Sequence, residues 1–259
     1  MRSYSSAPVK QLDQPLPPTP AFWARPSRPL PTTVGEHRVT WNMRYTTPPA
    51  LFFDQSMAAV PEDTPFVPEG PMALPGKYMV KLTVDGVSYN QPVLLKQDPR
   101  LDDSPGAMEG MRLQLALAQQ IIAVMAASKD AYEQGNGLDA KLTSLHASAS
   151  SGLPKTLRQH ISKLTGTIKE ASIGLSGGSY GVPPVKGTTS FSRINGQASA
   201  LLEMVEYSSD QAPVPSLYRT YSDLCRDFEG TLAAWQSLQA KVAGLNAGVK
   251  RAESISCTR

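Results

Sequence analysis

GKYMVKLTVDGVSYNQPVLLKQDPR, residues Gly76 to Arg100, is the stretch on which the reading of the fold turns. Tyr78, Val80, Leu82 and Val84 alternate with Met79, Lys81, Thr83 and Asp85, the period-2 pattern of a half-buried strand. Asp85-Gly86 supplies two residues that tolerate positive φ, and the chain returns through Val87, Tyr89, Val93 and Leu95. The stretch therefore predicts a two-stranded hairpin. Asp98-Pro99 ends it, and from there apolar residues recur every three or four positions. The hairpin marks the border between a β-rich part and a helical part.

Upstream, Glu36 to Tyr45 (EHRVTWNMRY) reads as a further strand. Val39, Trp41, Met43 and Tyr45 alternate with Arg38, Thr40, Asn42 and Arg44, and the apolar set is expected to face the core of a small sandwich. Residues 46–75 read as a long loop, and loops of that length are functional or packed excursions. Fifteen of the 23 prolines lie in the first 75 residues, which excludes a mostly helical or central-strand structure there. Residues 1–34 read as an extended arm with Phe22 and Trp23 anchoring it to a sheet; a flexible linker is the alternative. Three strands are too few to close a sandwich. Either the arm supplies more, or a strand is missing before Met1.

Downstream, Ser104-Pro105 reads as an N-cap with proline at the first helical position. Met108, Met111, Leu115, Ile122 and Met125 share a face that Leu117, Ile121 and Val124 widen, and Gly135-Asn136-Gly137 is expected to end this helix. Helical zones are predicted over 138–148 and 154–172, then 190–208 and 216–245. Leu157, Ile161, Leu164 and Ile168 form the stripe of 154–172, and Ile194, Ala198, Leu201, Leu202 and Val205 that of 190–208. In the last helix, Leu217, Tyr221, Leu224, Phe228, Leu232, Trp235 and Leu238 make a near-heptad stripe, as an antiparallel bundle requires. The tail after Asn246 is expected to fray.

With 259 residues the chain can hold two cores, and 18% charged with 41% hydrophobic residues is ordinary for a chain with long loops. A net charge of +3 gives no reason to expect nucleic acid or an anionic membrane as partner. Cys225 and Cys257 lack CxxC spacing and neighbouring histidines, which argues against a zinc site and leaves a disulfide open. No long apolar run predicts membrane insertion, and the first residues lack the apolar core of a signal peptide. The chain is then either cytosolic or the C-terminal piece of a longer exported protein.

The residues give little sign of catalysis. His37, His146 and His160 stand apart from any nucleophile spacing, and GxSxG, HExxH, P-loop and GxGxxG motifs are absent. The carboxylate pairs Glu62/Asp63 and Asp102/Asp103 could serve glycosidic acid–base chemistry, but solvation and helix capping are the simpler readings. Lys155, Arg158, His160, Lys163 and Lys169 read as a solvated helix face, and the glycines of 174–187 as an interhelical loop. No catalytic, cofactor-binding or metal-binding residue is assigned.

RSYSS, PAFWARP, GEHRVTWNMRY, PGKYMVKLTVDGVSYNQPVLLKQDPR and the late LAAWQSLQ and LNAGVKRA occur in an order that resembles the C-terminal region of bacterial BNR-repeat, sortilin-like "glycosyl hydrolase" proteins. The resemblance spans the chain and is strongest at Gly35–Tyr45 and Pro75–Arg100. It implies β-propeller repeats first, then an Ig-like or fibronectin-like module, then a helical segment. It also implies that RSYSS is the end of a strand begun upstream. No SxDxGxTW repeat occurs here, so no hydrolase residue carries over, and fold analogy alone does not establish activity.

The expected fold is α+β: an arm over 1–34, a truncated Ig-like β-sandwich over 35–100 and an antiparallel four-helix bundle over 101–259. The expected role is a non-catalytic accessory region of a secreted or periplasmic protein, with a β-propeller as partner in cis or as a separate chain. A carbohydrate- or peptide-binding module and a divergent glycoside hydrolase are the alternatives.

Overall fold

The structure is a computed structural model that describes residues 2–8, 20–23, 29–56, 60–101, 105–148, 155–172, 189–207 and 211–255. The chain divides into two compact units, each assembled from three segments. The first comprises Met1–Pro48, Phe52–Ile122 and Leu201–Tyr218, and the second Pro49–Leu51, Ala123–Ala200 and Arg219–Arg259.

In the first unit, strands β1 (Asp54–Gln55) and β2 (Phe66–Val67) form a minimal antiparallel pair, and β3 (Gly76–Val84) and β4 (Val87–Leu95) form the hairpin. Asp85 at φ 48° and Gly86 at φ 82° make a turn with both central residues in the left-handed region. Such a turn matches the right-handed twist of a two-residue hairpin. It sets the register Val84↔Val87, Leu82↔Tyr89, Val80↔Gln91 and Tyr78↔Val93. The root is anchored by the Tyr78 ring, edge-on to Trp41 at 5.6 Å, and by the Tyr78 hydroxyl, which donates to the Leu74 carbonyl at 2.6 Å. Beyond Tyr78 the hairpin is a ribbon exposed on both faces.

The expected Ig-like sandwich is overturned. Among the described residues the sheets are two separate two-stranded ones. Glu36–Tyr45 is not a strand, because Met43 at φ 58° breaks its extended run. The segment meets 71–73 through a single bridge, Arg44↔Met72, with Tyr45 N–H donating to Pro71 O and Ala73 N–H to Met43 O. Pro71 and Pro75 flank that contact and have no N–H to extend a ladder. Alternation was present, but a strand also needs a neighbour that can pair. Phe22 and Trp23 are also placed differently from expectation. They lie in a 3₁₀ turn, Ala21–Trp23, whose carbonyls accept from Glu62 and Thr64 N–H, so they dock on a turn rather than a sheet.

Four helices follow: α1 (Pro105–Ser148), α2 (Lys155–Ser172), α3 (Phe191–Glu206) and α4 (Pro215–Ile255). Helix α1 does not end at Gly135-Asn136-Gly137. Ala131, Leu138 and Leu142 stay in phase across the glycines, and their burial outweighs a cost of about 1 kcal/mol per glycine. Helix α4 likewise runs past Asn246, to Ile255. By length and composition Gly106–Ser144 could cross a membrane, yet Leu117, Ile121, Val124 and Met125 in that stretch are buried in protein.

All four helices contribute to the core of the second unit. Ala131 and Leu142 come from α1, Ile161 and Ile168 from α2, Phe191 from α3, and Trp235, Leu238 and Val242 from α4. Phe191 meets Trp235 edge-to-face at 6.2 Å, a geometry that adds to simple burial. Asn195 is 1% exposed within this unit. Its Oδ1 accepts from Leu51 N–H at 2.7 Å, and its Nδ2 donates to Met125 O at 2.9 Å and Pro49 O at 3.2 Å. That clamp explains why Pro49–Leu51 belongs to the helical unit.

Two glycines of α1 should respond oppositely to alanine. A Cβ at buried Gly110 would sit 2.7 Å from the backbone nitrogen of Ala212, whereas one at exposed Gly137 meets nothing within 4 Å. Gly110→Ala should lose about 2 kcal/mol and Gly137→Ala should gain about 0.5–1 kcal/mol in denaturant unfolding. Effects of the same sign would contradict the helix course.

Candidate functional site

The carboxylates and histidines singled out by sequence do not converge. Glu62 and Asp63 are exposed in the turn 61–63, with Glu62 at φ 57°. His37 is exposed, and its Nε2 donates to the Thr33 carbonyl at 2.6 Å. Asp102, Asp103, Cys257 and the 174–187 loop lie outside the described residues, as do the side chains of His146, His160, Lys155 and Arg158. Lys163 and Lys169 are exposed, and Lys169 pairs with Asp139 at 3.7 Å. No group of three metal-ligating side chains occurs among the described residues.

Among the described residues four groups are shifted in acidity, Tyr78, Asp98, Arg100 and Tyr221, and none of the shifts suits proton transfer at neutral pH. Hydrogen bonds from the Arg100 side chain, then from its backbone N–H, hold the solvent-exposed Asp98 carboxyl down at about 2. The pair straps the chain where it leaves the hairpin. Burial, then a hydrogen bond with the Cys225 thiol, pushes the Tyr221 hydroxyl up to about 12. A general acid needs a carboxyl raised towards neutrality, and a general base needs a pKa near the working pH.

A charged cluster missed by sequence reading centres on Arg44. Its Nε lies 3.3 Å from Glu69 Oε2, and its Nη1 lies 3.1 Å from Glu206 Oε2 and donates to Gly70 O at 2.9 Å. Glu206 also accepts from Met72 N–H at 3.0 Å. All three charged side chains are mostly buried, so the guanidinium is compensated at both ends of its fork. The adjoining depression, which Leu202 and Tyr207 help to line, has room for about one water molecule. This is a strut, and it has no space for a substrate.

The ribbon has the stronger claim to function. The register places Tyr78, Val80, Leu82, Val84, Val87, Tyr89 and Val93 on one face, with Gln91 as the polar member. Leu82 is 50% exposed and Tyr89 60%, and Val80, Val84, Val87 and Val93 are exposed to similar degrees. Together they leave on the order of 500 Å² of apolar surface, near the upper end of single patches on monomeric proteins. The opposite face carries Lys77, Lys81, Thr83, Ser88 and Asn90 beside Met79, Pro92 and Leu94. An amphipathic sheet with its apolar side uncovered is half of a packed interface. The alternation was legible in the sequence; what hid its exposure was the missing second layer.

Two measurements check these assignments. The Asp98 carboxyl should titrate near 2 by NMR, and Arg100→Ala, which removes the guanidinium but keeps the backbone N–H bond, should raise it part of the way towards the usual value near 4. Its contribution is therefore present above the ordinary carboxylate range and lost as pH falls through about 2. Arg44→Ala, which removes the guanidinium that the Glu69 and Glu206 carboxylates share, should cost about 2 kcal/mol of stability. No loss would remove the strut role.

Comparison of the chain with protein-family profiles, with curated proteins and with solved structures found no match.

Proposed function

We propose that this chain is a non-catalytic accessory region that docks on a larger β-rich protein through its β3–β4 ribbon. The observation that carries the reading is the half-exposed apolar face running from Val80 to Val93. The helical core buries Trp235, Phe191, Ile168 and Ile194 almost completely, so this sequence packs apolar residues well elsewhere. Uncovered apolar surface concentrated on a rooted ribbon fits a surface that a partner covers. The resemblance supplies the partner of this proposal, a BNR-repeat β-propeller in cis or as a separate chain, within an exported protein.

The reading is tested by calorimetric titration of the intact chain with a purified BNR-repeat propeller. Binding in the micromolar range or tighter is expected, weakened about a hundredfold by Leu82→Lys with Tyr89→Lys. Both side chains are exposed, so the double variant should keep the fold. Absence of binding by the unaltered chain would refute the propeller as partner. Turnover of chromogenic glycosides by the purified chain, abolished on replacing Glu62 and Asp63 with alanine, would refute the non-catalytic role.

A further inference from the structure

We propose that the outer edge of β3 accepts an extended segment of a partner protein as a third strand, and that this segment alternates apolar with acidic residues. The inference rests on the docking role of the ribbon and names where and what it binds. A two-residue turn with both residues at positive φ closes on a hydrogen-bonded pair, here Val84 and Val87. Hydrogen-bonded and non-hydrogen-bonded pairs then alternate down the ladder. Leu82/Tyr89, Val80/Gln91 and Tyr78/Val93 turn their backbone groups inward, while Thr83/Ser88, Lys81/Asn90, Met79/Pro92 and Lys77/Leu94 turn theirs outward. The Thr83 and Ser88 hydroxyls meet at 3.0 Å, as the closer side chains of a non-hydrogen-bonded pair allow.

The two edges are therefore unequal. Pro92 falls on an outward position of β4, so that edge has a gap among its donors, which resists strand addition. The β3 edge offers Lys77, Met79, Lys81 and Thr83 without a gap, and all four residues are exposed. A strand added there continues the apolar row of Val80 and Leu82 on one face. On the other face its side chains stand beside Lys77 and Lys81, neither of which has a carboxylate partner among the described residues. Acidic residues fit those positions. A second copy paired through the same edge would gather four lysines on one face with no carboxylate among them. A foreign acidic–apolar strand is the better occupant.

The test uses the intact isotope-labelled chain and a nine-residue peptide, matching β3 in length, that alternates valine with glutamate. A valine–lysine peptide is the control. With the glutamate peptide, amide exchange at Lys77, Met79, Lys81 and Thr83 should slow about tenfold or more, and the already bonded amides of Val80 and Leu82 should change little. The lysine peptide should bind about tenfold more weakly or not at all. Met79→Pro, which copies onto β3 the gap Pro92 makes in β4, should abolish protection. Should that variant misfold, Lys77→Glu with Lys81→Glu should reverse the peptide preference. Equal binding of both peptides, binding of neither, or slowed exchange at Ser88 and Asn90 would overturn the proposal. So would protection that rises with protein concentration alone, the mark of a second copy. Side-chain shifts at Val80, Leu82 and Tyr89 without slowed exchange would overturn the edge assignment while leaving face docking in place. Peptide protection without propeller binding would instead defeat the propeller reading alone.

Discussion

The turn at Asp85-Gly86 fixes more of this molecule than its two residues suggest. Both sit in the left-handed region, a conformation that asparagine, aspartate and glycine enter at low cost. A turn of that type admits one register. That register places Val80, Leu82, Val84, Val87, Tyr89 and Val93 on a common face and puts Pro92 at a position that needs no donor to β3. A one-residue slip would invert the faces and force Pro92 into the ladder. The proline and the turn thus select the same pairing, and the interaction surface inherits its geometry from them.

The helical core depends on a different kind of constraint. Asn195 stands in phase with Ala198 and Leu202 on the apolar side of α3, where an amide is costly unless satisfied. It is satisfied by the backbone of Leu51, Pro49 and Met125 and by the Ser128 hydroxyl. A buried amide with several backbone partners specifies position in a way that aliphatic packing does not. Trp235 makes the complementary point. It is 2% exposed with its indole N–H unpartnered, so ring packing against Phe191 carries it at some cost.

Local signals were legible and non-local ones were not. The hairpin, its turn and the spans of α2 and α3 follow from periodicity and from residues that tolerate positive φ. The sandwich did not follow, because Val39, Trp41, Met43 and Tyr45 alternate correctly but their neighbours at 71–75 are rich in proline. Pairing partners, unlike periods, cannot be read from one segment. The glycines at 135 and 137 misled for the same reason: the stripe beyond them decides whether a helix continues. Asn195 had a readable signal, an amide in phase with an apolar stripe. Arg44 had none, since Glu69 and Glu206 are 25 and 162 positions away. Pro92 could have been read too, since its even spacing from the turn already places it on the outward set.

An exposed two-stranded ribbon with a bare apolar face is a hazard, because unpaired edges invite indiscriminate pairing. Here the hazard is narrowed rather than removed. Pro92 interrupts one edge, and Lys77 and Lys81 on the other repel an identical edge and attract an opposite charge. Blunting both edges would have sufficed for solubility alone. Leaving the donors of β3 unbroken keeps one address open, and the lysines beside it decide which strands can use it.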